Sequence, residues 1–135
     1  MKAINPYINF NGKCREAMGF YQQCLGGDLE LREVKGSNME ADWPGSKDDI
    51  LHASLTVEGA QVLMASDMSD QLGYTKGTDF ALTLTCDSED EIYQVFEKLA
   101  NGGRILDPVK KQFWGALFGT LQDKYGVKWM LNYSD

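Results

Sequence analysis

The chain is written twice, and that repetition limits its fold more than any single motif. Residues 4 to 10, INPYINF, alternate Ile4, Pro6, Ile8 and Phe10 against Asn5, Tyr7 and Asn9. This is the two-residue period of a half-buried strand. NGKCREAMGFYQQCLGG follows, with Asn11 placed to cap a helix and Cys14, Ala17, Met18, Tyr21 and Leu25 along one face. The helix stops at Gly26-Gly27 and a strand, DLELREV, comes next. Residues 79 to 109 repeat the plan. DFALTLTC sets Phe80, Leu82, Leu84 and Cys86 against Ala81, Thr83 and Thr85. DSEDEIYQVFEKLANGG carries a capping box from Ser88 to Glu91 and an apolar stripe of Ile92, Val95, Phe96 and Leu99. Phe20 matches Phe96, and Gly26-Gly27 match Gly102-Gly103, at one offset.

The remainder of each half matches too. LHASLTVEGAQVLMASD reads as a hairpin turning near Glu58-Gly59, and FWGALFGTLQDKYGVKWMLNYSD as one turning near Tyr125-Gly126. Each half is therefore a strand, a helix and three strands. Module one spans about 1–67, a joining stretch about 68–78, and module two 79–135, all within a single domain. Neither half alone covers both faces of a four-stranded sheet, so the two are expected to pair. The expected fold is α+β: two βαβββ modules forming a cupped, half-barrel mixed sheet with helices outside.

Composition excludes several classes. A net charge of −7 disfavours nucleic acid, and Lys110-Lys111 is the only adjacent basic pair. No apolar run reaches the roughly 18 residues that cross a bilayer, and the start does not read as a secretory signal. A cytoplasmic protein without a membrane partner is expected. Cys14, Cys24 and Cys86 are odd in number and lack CxxC spacing, which suits reduced, buried thiols. The acidic run SEDE suits a solvated first helical turn at the positive end of the helix dipole. No Walker or dinucleotide-binding pattern is present, so no cofactor is expected from motifs.

ILHASLTV, residues 50 to 57, holds the only histidine. Leu51, Ala53, Leu55 and Val57 alternate with His52, Ser54 and Thr56, which puts His52 on the strand's wet face. Histidine titrates near neutrality, so His52, oriented by Asp67 or Asp79, is a candidate general acid or base. A contact to ligand without chemistry, or a purely structural role, are the other readings. KGSNMEADWPGSKDD, residues 35–49, is a long polar loop that could present Trp43 as a lid, lie mobile on the surface or make a dimer contact.

The paired βαβββ halves, GFYQQCLGG and the terminal DKYGVKWMLNY resemble the vicinal oxygen chelate superfamily of glyoxalase I, extradiol dioxygenases and bleomycin-resistance proteins. NPYINFNGKCREAMGFYQQCLGG, ILHASLTV, VLMASD and FWGALFGTLQDKYGVKWMLNY are similar to its PhnB-like branch. The resemblance implies a homodimer. It also implies that metal-dependent members hold a divalent ion through the first and fourth strands of each half, where it would polarise vicinal substrate oxygens. Here those positions fall at Pro6 (or Asn5), Leu63, near Asp79, and Met130. Only Asp79 offers a carboxylate, so no metal is assigned, although a divalent metal is not excluded.

The residues left for a small-molecule ligand are Tyr7, Asn9, His52, Ser54, Asp67, Asp79, Trp114, Phe118 and Asn132. Trp114 and Phe118 are expected to share one face of the seventh strand. Two functions follow: metal-free binding of a small organic molecule, or a lyase, isomerase or dioxygenase-type enzyme. The enzyme would use His52 as acid/base or a metal site that the spacing does not reveal.

Overall fold

The computed structural model describes residues 1–68 and 70–135. Ser69, in the joining stretch, lies outside the described residues. The chain divides into two compact units, Met1–Lys76 and Gly77–Asp135. The first holds β1 (Tyr7–Phe10), α1 (Cys14–Leu25), β2 (Asp28–Glu33), β3 (Ile50–Val57) and β4 (Ala60–Asp67). The second holds β5 (Leu82–Thr85), α2 (Glu89–Ala100), β6 (Arg104–Lys111), β7 (Leu117–Gln122) and β8 (Lys128–Tyr133). Each unit is an open four-stranded mixed sheet, ordered β1-β4-β3-β2 and β5-β8-β7-β6. The first strand of each runs parallel to the last, and the other pairs are antiparallel. The class is α+β with two βαβββ modules, as the repeat predicts.

Each helix buries the stripe its sequence marks. Cys14, Ala17, Met18 and Tyr21 of α1 are wholly buried, as are Ala53, Leu55 and Ala65 of the sheet it packs on. In the second unit Ile92, Phe96 and Leu99 are buried, together with Leu121, Trp129 and Leu131. Helix starts are handled differently in the two copies. Ser88 Oγ accepts the Glu91 N–H at 3.0 Å, the cap read from the sequence. The N-cap of α1 is Lys13 rather than Asn11, and no side chain of its own caps it. The acceptor comes from the far end of β4 instead: the Cys14 N–H donates to Asp67 Oδ1 at 2.9 Å.

The repeated glycine pair has a steric cause. A Cβ on Gly27 would strike the carbonyl oxygen of Thr56, and one on Gly103 would strike that of Gln122. In both units the chain leaves its helix pressed against the neighbouring hairpin, and only hydrogen fits there. The first hairpin turns with positive φ at both Glu58 (51°) and Gly59 (81°), as a twisted two-residue turn requires.

Two strand expectations shift. β5 begins at Leu82, where pairing to Trp129 of β8 begins, so Phe80 stands outside it and is 89% exposed. In β3 an irregularity pairs Arg32 with His52 but Glu33 with Ile50, skipping Leu51. The extra residue turns Ile50 into the core and leaves Leu51 half-buried.

Gly27→Ala is expected to destabilise the chain by about 2 kcal/mol or more, because the backbone carbonyl of Thr56 cannot move aside. Gly26→Ala, with a positive φ but open space around it, should cost only about 1 kcal/mol. Urea unfolding of both variants checks the difference; equal losses would assign the effect to backbone conformation alone.

Candidate functional site

In the first sheet the side away from α1 collects the polar residues. Register places Tyr7 beside Met64, Asn9 beside Ser66, and Ser54 beside Met64. Tyr7, Asn9, His52, Ser54 and Ser66 therefore share one face, and Ala53, Leu55, Ala65 and Asp67 the other. Tyr7 Oη lies 3.4 Å from His52 Nδ1, with the ring centroids 5.9 Å apart and tilted by 39°. Ser66 Oγ donates to Asn9 Oδ1 at 3.4 Å. Arg32 of β2 stands opposite His52 in register and holds Glu30 at 3.2 Å. Sequence reading missed Arg32, Glu30 and Ser66. The alternation of Leu29 and Leu31 with Asp28, Glu30 and Arg32 was the signal for the first two.

Asp67 does not join His52. It is 3% exposed on the helix side, where Oδ1 accepts the Cys14 N–H and Oδ2 accepts the Ile50 N–H at 2.8 Å. Burial pushes its carboxyl above the usual carboxylate range, against the pull of the Ile50 and Cys14 amides. The expectation that Asp67 orients His52 is corrected: alternation along β4 carries its side chain through to the core. Burial also pushes the thiols of Cys14 and Cys86 up to about 12. Both stay protonated near neutrality and are poor nucleophiles. No disulfide joins the three buried cysteines.

In the second sheet Phe118 and Asn132 are direct register partners, and Asn132 also stands beside Thr85. Trp114 is not on β7 but in the turn before it, because β7 starts at Leu117. Its ring still reaches Phe118, with centroids 6.1 Å apart, and meets Phe113 edge-on at 4.8 Å. Asp79 lies exposed in a bend ahead of β5. In the 35–49 loop Trp43 Nε1 donates to Asp49 Oδ2 at 2.9 Å, and Val34 N–H donates to the Asp49 carbonyl. The indole thus closes the loop on its own stem.

A model of the family described as 3-demethylubiquinone-9 3-methyltransferase matches residues 2–132. The chain belongs to this family, the PhnB-like one. It is similar to protein PA1353 from Pseudomonas aeruginosa, at 39% identity and TM-score 0.83, covering 99% of this chain and 98% of that one. A putative 3-demethylubiquinone-9 3-methyltransferase, PhnB protein, from Bacillus cereus is 33% identical, with TM-score 0.78 over 98% and 100% of the two chains. Protein YjdN of Escherichia coli is 29% identical over 140 residues, 96% of this chain and 93% of its own length. A glyoxalase/bleomycin resistance protein/dioxygenase family enzyme from Burkholderia phytofirmans shares the fold, at 16% identity and TM-score 0.65 over 97% and 98% of the chains.

In this PhnB-like chain the four positions that resemblance marks for a metal can be checked against chemistry. Pro6 precedes β1, and its carbonyl accepts the Met64 N–H at 3.3 Å. Leu63 is buried on the helix side, and Met130 pairs with Thr83 and Thr120 on the open side of the second sheet. With Asp79 these supply one carboxylate, one thioether and two hydrocarbon side chains, a set that does not fit a divalent ion. Among the described residues no three His, Cys, Asp or Glu side chains converge as a metal site.

The buried Asp67 carboxyl yields a pH prediction. Its folded pKa is raised, so its contribution to stability is present below the ordinary aspartate value, about 3.9, and is lost as pH rises through the folded value. Asp67→Asn removes this titration and turns an NH2 toward one of two amide donors. The variant should be weaker at every pH, with the gap to the parent widest in acid and narrowing toward neutrality. Urea unfolding from pH 3.5 to 7 measures the gap; a gap that widens with pH would reverse the assignment.

Proposed function

We propose that the chain is a cytoplasmic, homodimeric PhnB-like protein that binds a small organic molecule on its open sheet faces without a catalytic metal. The observation that carries this reading is the Tyr7–His52 contact on a sheet face that no helix of its unit covers, flanked by Asn9, Ser54 and Ser66. Phenol, imidazole, amide and hydroxyl groups can each donate or accept, and the two rings add apolar area. That mixture suits a neutral ligand with hydroxyl or carbonyl groups. On the second unit's own open face Phe118, Asn132 and the neighbouring Trp114 are candidate contacts, and Asp79 is retained as one. The partner copy rests on the family resemblance, and exposed Ile4 (87%) and Phe80 (89%) are side chains it could cover.

The family's description names a methyl transfer, and the chain's architecture favours binding instead. The sheets are mixed, with no glycine-rich dinucleotide fingerprint in the sequence.

The same Tyr7–His52 contact favours a second reading, in which His52 acts as general acid or base in a lyase, isomerase or dioxygenase-type reaction. Asp67 is withdrawn from that role by its place in the core.

Elemental analysis of purified protein, followed by thermal shift with divalent cations and a metabolite panel, separates the readings. The binding reading expects no stoichiometric metal and stabilisation by a subset of organic compounds. His52→Ala and Tyr7→Phe should each weaken that binding several-fold while leaving the unliganded midpoint within about 3 °C, since both side chains lie at least partly in water. A tightly held metal, or no stabilisation by any compound, would overturn it; turnover abolished by His52→Ala would favour the enzyme.

A further inference from the structure

The second sheet carries a feature that the polar face of the first does not share. Between Ile105 and Leu121 at one end and Lys111 and Leu117 at the other, β6 advances six residues while β7 advances four. Two irregularities around Pro108 absorb the excess, and extra residues of this kind re-aim side chains at functional edges. The result sets Asp107 opposite Thr120 and Lys110 opposite Phe118, on the side of the sheet facing away from α2. Lys110 and Asp107 pair with each other at 3.5 Å, so the aromatic corner beside them is left without a net charge.

That corner consists of three rings and an amide. Trp114 is 55% exposed and Phe113 98% exposed, and the Trp114 ring stands at 64° to Phe118 and 88° to Phe113. The indole is thus held by ring edges, with much of its surface in water. Directly across from Phe118 is Asn132, half-buried between Phe118 and Thr85. Its backbone carbonyl accepts the Cys86 N–H, but its side-chain amide meets no hydrogen-bond partner among the described residues. Being partly exposed, that amide is free to donate and accept at the polar edge of a bound molecule. An exposed indole and an unmet amide at one corner ask for the same kind of occupant: a flat ring with a polar edge.

We propose that Trp114, Phe118 and Asn132 form a subsite for a planar aromatic ring, stacked on the indole and hydrogen-bonded at its edge to the Asn132 amide. The inference rests on the small-molecule reading above and narrows its ligand class. A planar π-system gains from the indole face what a puckered saturated ring cannot.

The test titrates 4-hydroxybenzamide against 4-hydroxycyclohexanecarboxamide, which is likewise neutral and has the same edge groups without the π-system. Tryptophan fluorescence and amide NMR shifts follow binding. The aromatic probe should bind about fivefold tighter and quench the exposed indole. Trp114→Ala should remove that preference, and Asn132→Leu should weaken the aromatic probe several-fold. Trp114→Phe should keep binding within about twofold while abolishing the quench, and its NMR spectrum confirms that the variant is folded.

Equal affinity for the two probes, or a preference indifferent to Trp114→Ala, overturns the subsite and leaves the binding reading standing. So does binding of neither probe when other panel compounds still stabilise the protein in a His52-dependent way. If nothing in the panel binds, both readings fall. Burial of Trp114 by self-association, seen as concentration-dependent mass with loss of the quench, assigns the corner to a second copy of the chain and overturns the subsite.

Discussion

The first unit depends on a carboxyl group that is almost wholly buried. Asp67 ends β4 and accepts one N–H from the first turn of α1 and another from the start of β3. One side chain thereby joins three segments that are distant in sequence. Each of those amides would otherwise be a buried donor without a partner, at a cost of about 1–3 kcal/mol. The second unit uses a different device. There Asp123 accepts the N–H groups of Tyr125 and Val127 and the indole N–H of Trp129, fixing the β7–β8 turn rather than the helix start. Duplication preserved the chain path, while the buried carboxylates that secure it diverged.

That divergence bears on the open faces. Because Asp67 is committed to the core, it is not available to polarise His52. Glu30 remains on the open side, but it is engaged with Arg32. His52 is left with a phenol rather than an acid as its neighbour, which suits shared hydrogen bonding to a ligand better than a charge-oriented base.

The repeat made the architecture legible: Phe20 with Phe96, and the double glycines, announced two modules before any coordinate was known. The structure adds why the glycines recur, since each second glycine abuts a carbonyl of the adjacent hairpin. What the sequence concealed lies at irregularities. Skipping Leu51 in the β2–β3 pairing exchanges the roles of Ile50 and Leu51. Alternation through Leu63, Ala65 and Asp67 did point inward, but a polar residue type argued for the wet side, and only the waiting amides of Cys14 and Ile50 resolve the conflict. Trp114 keeps the two-residue alternation with Phe118, yet the chain turns between Gln112 and Ala116 before β7 begins at Leu117, which periodicity cannot register. Tyr7, Asn9, His52 and Ser54 were read as wet-face residues, and the register places them on one face.

On the proposed binding reading, charge contributes little to selectivity on the first sheet's open face. The Arg32–Glu30 pair has both side chains about two-thirds exposed or more, where such pairs contribute about 0–1 kcal/mol and are screened by salt. Discrimination there falls to hydrogen bonds from Tyr7, His52, Asn9 and Ser54. A ligand lacking the matching group loses more than one contact, because it strips water from a polar side chain and returns nothing. The second face differs again, with aromatic edges and one amide. On the proposed reading this chain selects by shape and hydrogen bonding, and family membership by itself leaves the chemistry open.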